Sequence, residues 1–236
     1  MTRLSSEFIL QTMAKLLLKG VRYLKCYGEL AFGGKPTTIE GTIDYCVDRP
    51  ILMTQVRSEA LALGKILQTH APVRSLEIGT NYGGTLLLLC NLSPPKATII
   101  SVDLPSGRFG GGYPRRKIPL FRKFRKSGQQ LHLIRADSHF QETKERVLSI
   151  LHGDLLDYLF LDGDHTYEGV RHDFAMYAPL VRSGGIIALH DIAVHNHEAD
   201  CQVDKFWSEL KNRFRHQEIV ENPKQGWAGI GIVFVP

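Results

Sequence analysis

Near the start of the chain, Ile9, Met13, Leu16, Leu17, Gly20, Val21 and Leu24 recur at helical spacing, with Glu7, Lys15, Lys19 and Arg22 between them. This pattern predicts an amphipathic helix that packs on the body of the protein or on a second subunit. A membrane-surface role for so basic a helix is the lesser alternative. Gln11, Thr12 and Lys15 interrupt the apolar stretch and no small-residue cleavage site follows, which argues against a signal peptide. From residue 73 the pattern changes. Short apolar runs at 73–78, 97–102, 131–136, 157–161 and 185–189 alternate with helical stretches around 84–92, 115–127, 140–151, 167–181 and 202–214. Runs apolar on both faces read as parallel strands covered by helices on each side, joined by right-handed crossovers. Two last runs, 216–220 and 228–235, are close enough in sequence to pair as a hairpin. The expected fold is α/β, Rossmann-like and doubly wound, over residues 71–236. Residues 1–70 are expected to add a helical cap over the site or a homodimer surface.

The chemistry-bearing residues fall where the strand runs stop. The first runs into Glu77-Ile78-Gly79-Thr80-Asn81-Tyr82-Gly83-Gly84, the second ends at Asp103, and the third at Asp137-Ser138. The fourth ends at Asp162-Gly163-Asp164-His165 and the fifth at His190-Asp191. In an open parallel sheet, ligands bind at the carboxyl ends of the strands, so five strands aim polar groups at one crevice. The first turn lacks the G-x-G-x-x-G dinucleotide fingerprint. Its glycines let backbone approach a ligand and open a helix whose N–H groups face it. An acid before the loop and another on the second strand suit a cationic ligand with ribose hydroxyls, as in S-adenosylmethionine, better than a pyrophosphate.

Composition narrows the picture only a little. The chain has 236 residues, 43% hydrophobic and 22% charged, ordinary for a globular protein. No apolar run approaches a membrane span. Cys26, Cys46, Cys90 and Cys201 are widely separated, which fits a reducing, cytoplasmic setting. The net charge of +5 is local: Arg108, Arg115, Arg116, Lys117, Arg122, Lys123, Arg125 and Lys126 form a run with no acid. A solvated helix face explains it most simply, and an anionic or sugar-like substrate is the sharper reading. No recognised nucleic-acid motif accompanies it.

Three segments together carry a family resemblance: 76–80 (Leu-Glu-Ile-Gly-Thr), 161–167 (Leu-Asp-Gly-Asp-His-Thr-Tyr) and 184–192 (Gly-Gly-Ile-Ile-Ala-Leu-His-Asp-Ile). Over roughly residues 50–236 the chain resembles class I S-adenosylmethionine-dependent methyltransferases. It is most similar to bacterial O-methyltransferases of sugars and natural products, relatives of catechol O-methyltransferase. The resemblance implies a seven-stranded sheet with the last strand antiparallel. It also implies that Glu77 and Gly79 line the methionine part of the cofactor, with Thr80, Asn81 and Gly83 of the same loop among the cofactor-binding residues. Asp103 would bind the ribose hydroxyls, and Asp137 with Ser138 would sit by the adenine, with Asp162 both a cofactor-binding and a catalytic residue.

Methyl transfer to oxygen needs an aligned nucleophile, and a hydroxyl needs a base, a divalent cation or both. Asp162 and Asp191 end adjacent strands and are able to share a hard cation such as Mg²⁺. Related metal-dependent enzymes usually carry an acid where this chain has His190, and a histidine ligand there favours Mn²⁺, Fe²⁺ or Zn²⁺. His165, three residues after Asp162, is the expected base. His195 and His197 read as surface histidines, and the glycine-rich segment 104–114 reads equally as a lid or a flexible connection. Two other functions remain open: a nicotinamide-dependent oxidoreductase on a related fold, and a cofactor-binding protein without catalysis.

Overall fold

The structure, a computed structural model, describes residues 6–47 and 49–236; the side chains of Ser6, Glu7, Ile9, Leu10 and Leu16 lie outside the described ones. Three helices come first: α1 (Ser6–Ala31), α2 (Ile39–Tyr45) and α3 (Arg57–His70). The alternating part follows as β1 (Arg74–Ile78), α4 (Gly84–Leu92), β2 (Thr98–Asp103), α5 (Ile118–Phe121), β3 (Gln130–Arg135) and α6 (Gln141–Leu151). It continues with β4 (Leu156–Leu161), α7 (Tyr167–Tyr177), β5 (Val181–His190), α8 (Val203–Leu210), β6 (His216–Ile219) and β7 (Ile230–Phe234). Each apolar run of the sequence became a strand. Caps fix some helix starts: the Thr38 and Thr166 hydroxyls accept the Gly41 and Gly169 N–H groups at the starts of α2 and α7.

One seven-stranded sheet results, in the order β3-β2-β1-β4-β5-β7-β6. The pairs from β3 to β5 are parallel, and β7 runs antiparallel to both β5 and β6. The seven strands and the antiparallel last strand match the expectation, and 216–220 does pair with 228–235. The chain works outward from β1 to β3, then returns to place β4 on the other side of β1. That reversal opens a crevice at the carboxyl ends of β1 and β4.

Strand alternation divides the core between two layers. Tyr158 and Phe160 of β4 face one side, with Leu87, Phe121 and Phe124, while Leu159 and Leu161 face the other, with Val147 and Trp207. Each large apolar side chain buried this way contributes about 1.5–3 kcal/mol. The first layer also takes in Cys26 and Leu30 of α1 and Leu63 and Leu67 of α3, so the N-terminal helices share the core of the sheet.

The predicted helix over 115–127 is shorter in the structure. After α5 the bonds Lys123 N–H to Leu120 O and Phe124 N–H to Phe121 O tighten the chain into turns. These turns bring the Phe121 and Phe124 rings under Gly83, where a β-carbon would lie 2.7 Å from Phe121.

Candidate active site

A cavity of about 510 Å³ occupies the crevice, bordered by the ends of β1, β2, β3, β4 and β5. Its size suits a small-molecule ligand. Gly79, Thr80, Asn81, Asp103, Asp137, Ser138, Asp162, His165, His190 and Asp191 all line it. Glu77 and Gly83 are not among the lining residues. The Glu77 carboxylate is buried one layer down, where it accepts the Thr80 hydroxyl at 2.7 Å, and that hydroxyl also lies 2.7 Å from Ser101 Oγ. Burial pushes the Glu77 carboxyl up to about 8, against the hydrogen bonds from Thr85 and Thr80. Glu77 and Gly83 thus hold the loop from behind. The N–H of Gly83, just before α4, is used by Thr80 O, and that of Gly84, the first residue of α4, by Leu52 O.

Asp103 fixes the neighbouring wall. Its Oδ2 accepts Tyr113 N–H at 2.7 Å and Asn81 N–H at 3.2 Å, tying the end of β2 to the glycine loop and to the far end of segment 104–113. Burial raises its carboxyl above the usual range, and these N–H donors oppose the rise. Asp137 Oδ1 accepts His139 N–H at 2.9 Å. His139 also lines the cavity, and its ring stacks on His172 at 4.6 Å. The Asp173 carboxylate, 3.5 Å away, pushes the His139 imidazole up to about 9.

At the ends of β4 and β5, Asp162, His165, His190 and Asp191 meet. His190 Nδ1 lies 3.2 Å from both Asp162 Oδ1 and Asp191 Oδ2. His165 lies 3.1 Å from Asp191 Oδ2 through Nδ1 and 3.5 Å from Asp162 Oδ1 through Nε2. Burial opposes charge on both rings, yet the two carboxylates push His165 up to about 10 and His190 well above the usual histidine range. Burial likewise works against the carboxylates, but the imidazoles hold both below their usual range. Asp191 adopts a left-handed backbone (φ 62°), a conformation uncommon outside glycine that aspartate tolerates.

The donor set fits a divalent cation. Ligand atoms from Asp162, His190 and Asp191 lie within 4.8 Å of one another. His190 Nε2 is buried with no partner. His195 Nε2 lies 3.0 Å from Asp191 Oδ1 while Ala228 N–H points at the same nitrogen from 3.2 Å. One nitrogen is unable to accept from Ala228 and donate to Asp191 at once, so a group is left over for a ligand.

Several lining residues were not foreseen. His195 belongs to the site through Asp191, and His197 borders the cavity. Gln55, from the segment before α3, donates to Asp162 Oδ2 at 2.9 Å. Gln225 and Trp227 arrive from the loop between β6 and β7. Segment 104–114 lies over the cavity: the Phe109 ring stacks on His165 at 4.6 Å, and Arg108 pairs with Asp200. Of the basic run, Arg108 alone lines this cavity, whereas Arg122, Lys123, Arg125 and Lys126 border a separate hollow.

Glu59 holds the Trp227 loop. Fully buried on α3, it accepts Glu221 N–H at 3.1 Å, Gln225 Nε2 at 2.8 Å and Gly229 N–H at 3.0 Å. Glu59→Ala strands three donors, and we expect a loss of about 3 kcal/mol. Denaturant titration would read it as a lower midpoint; an unchanged midpoint would show that Glu59 does not anchor the loop.

A seven-stranded sheet of this order, with acids ending β2 and β4 around a ligand-sized crevice, defines the class I methyltransferase architecture. Residues 76–192, just under half of the chain, match the sequence family described as a methyltransferase domain. Among solved structures, the O-methyltransferase TomG from Streptomyces achromogenes, in complex with SAM, is 18% identical with a TM-score of 0.51. That match covers 74% of this chain and 80% of TomG. An O-methyltransferase from Bacillus cereus, in complex with SAH, is 15% identical with a TM-score of 0.54, covering 88% of this chain and 95% of that one. The MycE methyltransferase of mycinamycin biosynthesis, in complex with Mg and SAH, is 18% identical with a TM-score of 0.55, covering 98% of this chain and 63% of MycE. At these identities the likeness is one of fold. An uncharacterised protein of Acanthamoeba polyphaga mimivirus is 32% identical over 142 residues, 56% of this chain and 62% of that protein. An uncharacterised protein of Sinorhizobium fredii is 27% identical over 142 residues, 59% of this chain and 15% of that protein. The chain thus spans less than two thirds of either relative.

Proposed function

We propose that the protein transfers the methyl group of S-adenosylmethionine to a hydroxyl oxygen of a small molecule, a sugar or natural product. The observation that carries this reading is the meeting of Asp162, His165 and Asp191 in one cavity with Asp103 and the glycine loop. Asp103 accepts from the ribose hydroxyls, Asp137 and Ser138 border the adenine, and Gly79, Thr80 and Asn81 pass the methionine part at backbone distance. Trp227, Gln225 and His197, at the other side of the cavity, receive the acceptor. The segment before α3 serves as the cap, contributing Leu52, Thr54 and Gln55 to this wall.

His165 takes the acceptor's proton. It does so only once the charge on Asp162 and Asp191 is neutralised, because those carboxylates push its imidazole up to about 10. Asp162, His190 and Asp191 would hold a divalent cation, which when bound would supply that neutralisation and acidify the acceptor hydroxyl, while bound S-adenosylmethionine would supply the electrophilic methyl carbon. Phe109, stacked on His165, fixes the ring plane and keeps bulk water from the reacting atoms.

Calorimetric titration with S-adenosylhomocysteine tests the cofactor half, run on chelator-treated protein with and without Mg²⁺ or Mn²⁺. Binding in the micromolar range is expected, weakened about 10- to 100-fold in Asp103→Asn, the worth of a charged hydrogen bond. Heat from the metal is expected to vanish in Asp191→Ala. No heat at millimolar S-adenosylhomocysteine would sink the methyltransferase reading, whatever the metal does.

A further inference from the structure

We infer that His165, Asp191 and Cys201 form a second metal site, a thiolate site that takes Zn²⁺ and, when filled, stops the reaction. A nitrogen of His165, a carboxylate oxygen of Asp191 and the Cys201 sulfur lie within 4.8 Å of one another. Among the described residues Cys201 is the one cysteine that joins such a cluster. Tetrahedral Zn²⁺, with bonds of about 2.0–2.3 Å, holds its ligand atoms about 3.3–3.6 Å apart, so the three atoms need little movement to close on an ion. His165 Nδ1 already lies 3.1 Å from Asp191 Oδ2. That nitrogen is buried and makes no hydrogen bond. A buried nitrogen without a partner is uncommon and costly, and a cation would give it one.

The main chain puts Cys201 there. Gln202 N–H donates to the His165 carbonyl at 2.8 Å, and Cys201 N–H donates to that of Glu198 at 3.0 Å. The residue next to Cys201 is thus bonded to the backbone of His165 itself, which keeps thiol and imidazole neighbours. His165 and Asp191 line the cavity, while Cys201 lies behind them, 5% exposed. An ion would enter through the cavity and settle behind the His165 ring, on which Phe109 stacks.

Donor chemistry decides which ion binds. Mg²⁺ takes oxygen ligands and keeps its waters, whereas a thiolate and an imidazole beside one carboxylate suit Zn²⁺. Asp162, His190 and Asp191 make the harder set, two carboxylates and one imidazole. The two sets share Asp191, whose Oδ2 lies 3.1 Å from His165 Nδ1 and 3.2 Å from His190 Nδ1. Binding forms one bond each from nitrogen, oxygen and sulfur to Zn²⁺ and releases the thiol proton, with any proton on the ligating nitrogen, to solvent. Nothing is oxidised or reduced. His165 is then a ligand and unable to take a proton from an acceptor. The metal site stands on geometry and donor type, and only its inhibitory effect rests on the reading of His165 as base.

Co²⁺ reports a thiolate ligand directly, so the test titrates chelator-treated protein with Co²⁺ and then Zn²⁺, without cofactor. A near-ultraviolet sulfur-to-cobalt charge-transfer band is expected, bleached by Zn²⁺ and absent from Cys201→Ser. Burial pushes the Cys26, Cys46 and Cys90 thiols up, which makes them poor thiolate donors and keeps them out of the signal. His165→Ala should weaken Zn²⁺ binding more than about 100-fold, beyond the cost of an outer-shell partner. No band in the parent protein overturns the proposal, even if a variant fails to fold, and so does a band that Cys201→Ser retains. Turnover is the second arm. With Mg²⁺ saturating, Zn²⁺ should slow the parent about 100-fold or more, the loss of a general base, and slow Cys201→Ser far less relative to its own zinc-free rate. Equal inhibition of the two would place Zn²⁺ on Asp162, His190 and Asp191 and overturn the proposal. A band in protein that binds no S-adenosylhomocysteine would keep the metal site and remove the methyl-transfer reading, so the two fail separately.

Discussion

Replacing His165 with alanine is expected to lower kcat about 10²- to 10⁴-fold, the range for a lost general base, while binding of S-adenosylhomocysteine is retained. The geometry makes the two readouts separable. His165 sits between Asp162 and Asp191 at the β4 and β5 ends, whereas Asp103 and the glycine loop lie on β1 and β2. A residue that only shaped the cofactor pocket would raise KM or the S-adenosylhomocysteine Kd and leave kcat nearly intact. His165→Gln keeps hydrogen-bonding capacity without a titrating ring, so it should be as slow as His165→Ala. Initial rates at saturating cofactor and acceptor measure both variants. Full turnover in either one removes His165 from the role of base.

Much of this site was readable in the chain because its sheet is parallel. Every parallel strand ends at the same edge, so the acids that close the apolar runs at Asp103, Asp137, Asp162 and Asp191 had to converge. What periodicity does not encode is how loops fold back. Asp191 takes a left-handed turn that returns the chain over the site and carries His195 to 3.0 Å from its carboxylate. A histidine pair in an irregular loop carries no periodic signal of this, so it read as surface. Gln55 lies 107 residues from its partner Asp162, and Trp227 reaches the cavity from a loop held by Glu59. Such contacts depend on long-range packing that a local pattern leaves open. The shortening of the 115–127 helix has a similar origin, since the packing of Phe121 and Phe124 under Gly83 overrides the local preference.

Gly79 shows the same limit, and its replacement carries the second large effect. In sequence it read as space for a ligand, but the structure gives it a second task. Its backbone sits at φ 88°, and a β-carbon there would lie 1.8 Å from the Asp162 carbonyl oxygen and 2.8 Å from Gly163 N. Those are backbone atoms of the neighbouring strand end, fixed by the bond from Asp162 N–H to Ile78 O at 2.9 Å, so no side chain is free to move aside. Gly79→Ala therefore combines left-handed strain with a clash that parts β1 from β4, and a loss of about 4 kcal/mol or more is expected. For a chain of this size that lowers Tm by about 10 °C. Gly28→Ala is the matched control: it lies in α1 with nothing within 4 Å of the added carbon, and it should leave Tm unchanged or raise it slightly. A Gly79→Ala protein that melts with the parent would mean that β1 and β4 end farther apart, and with them the cofactor loop and Asp162. A protein that melts low places both halves of the proposed methyl-transfer site on one rigid junction, where movement of either displaces the other.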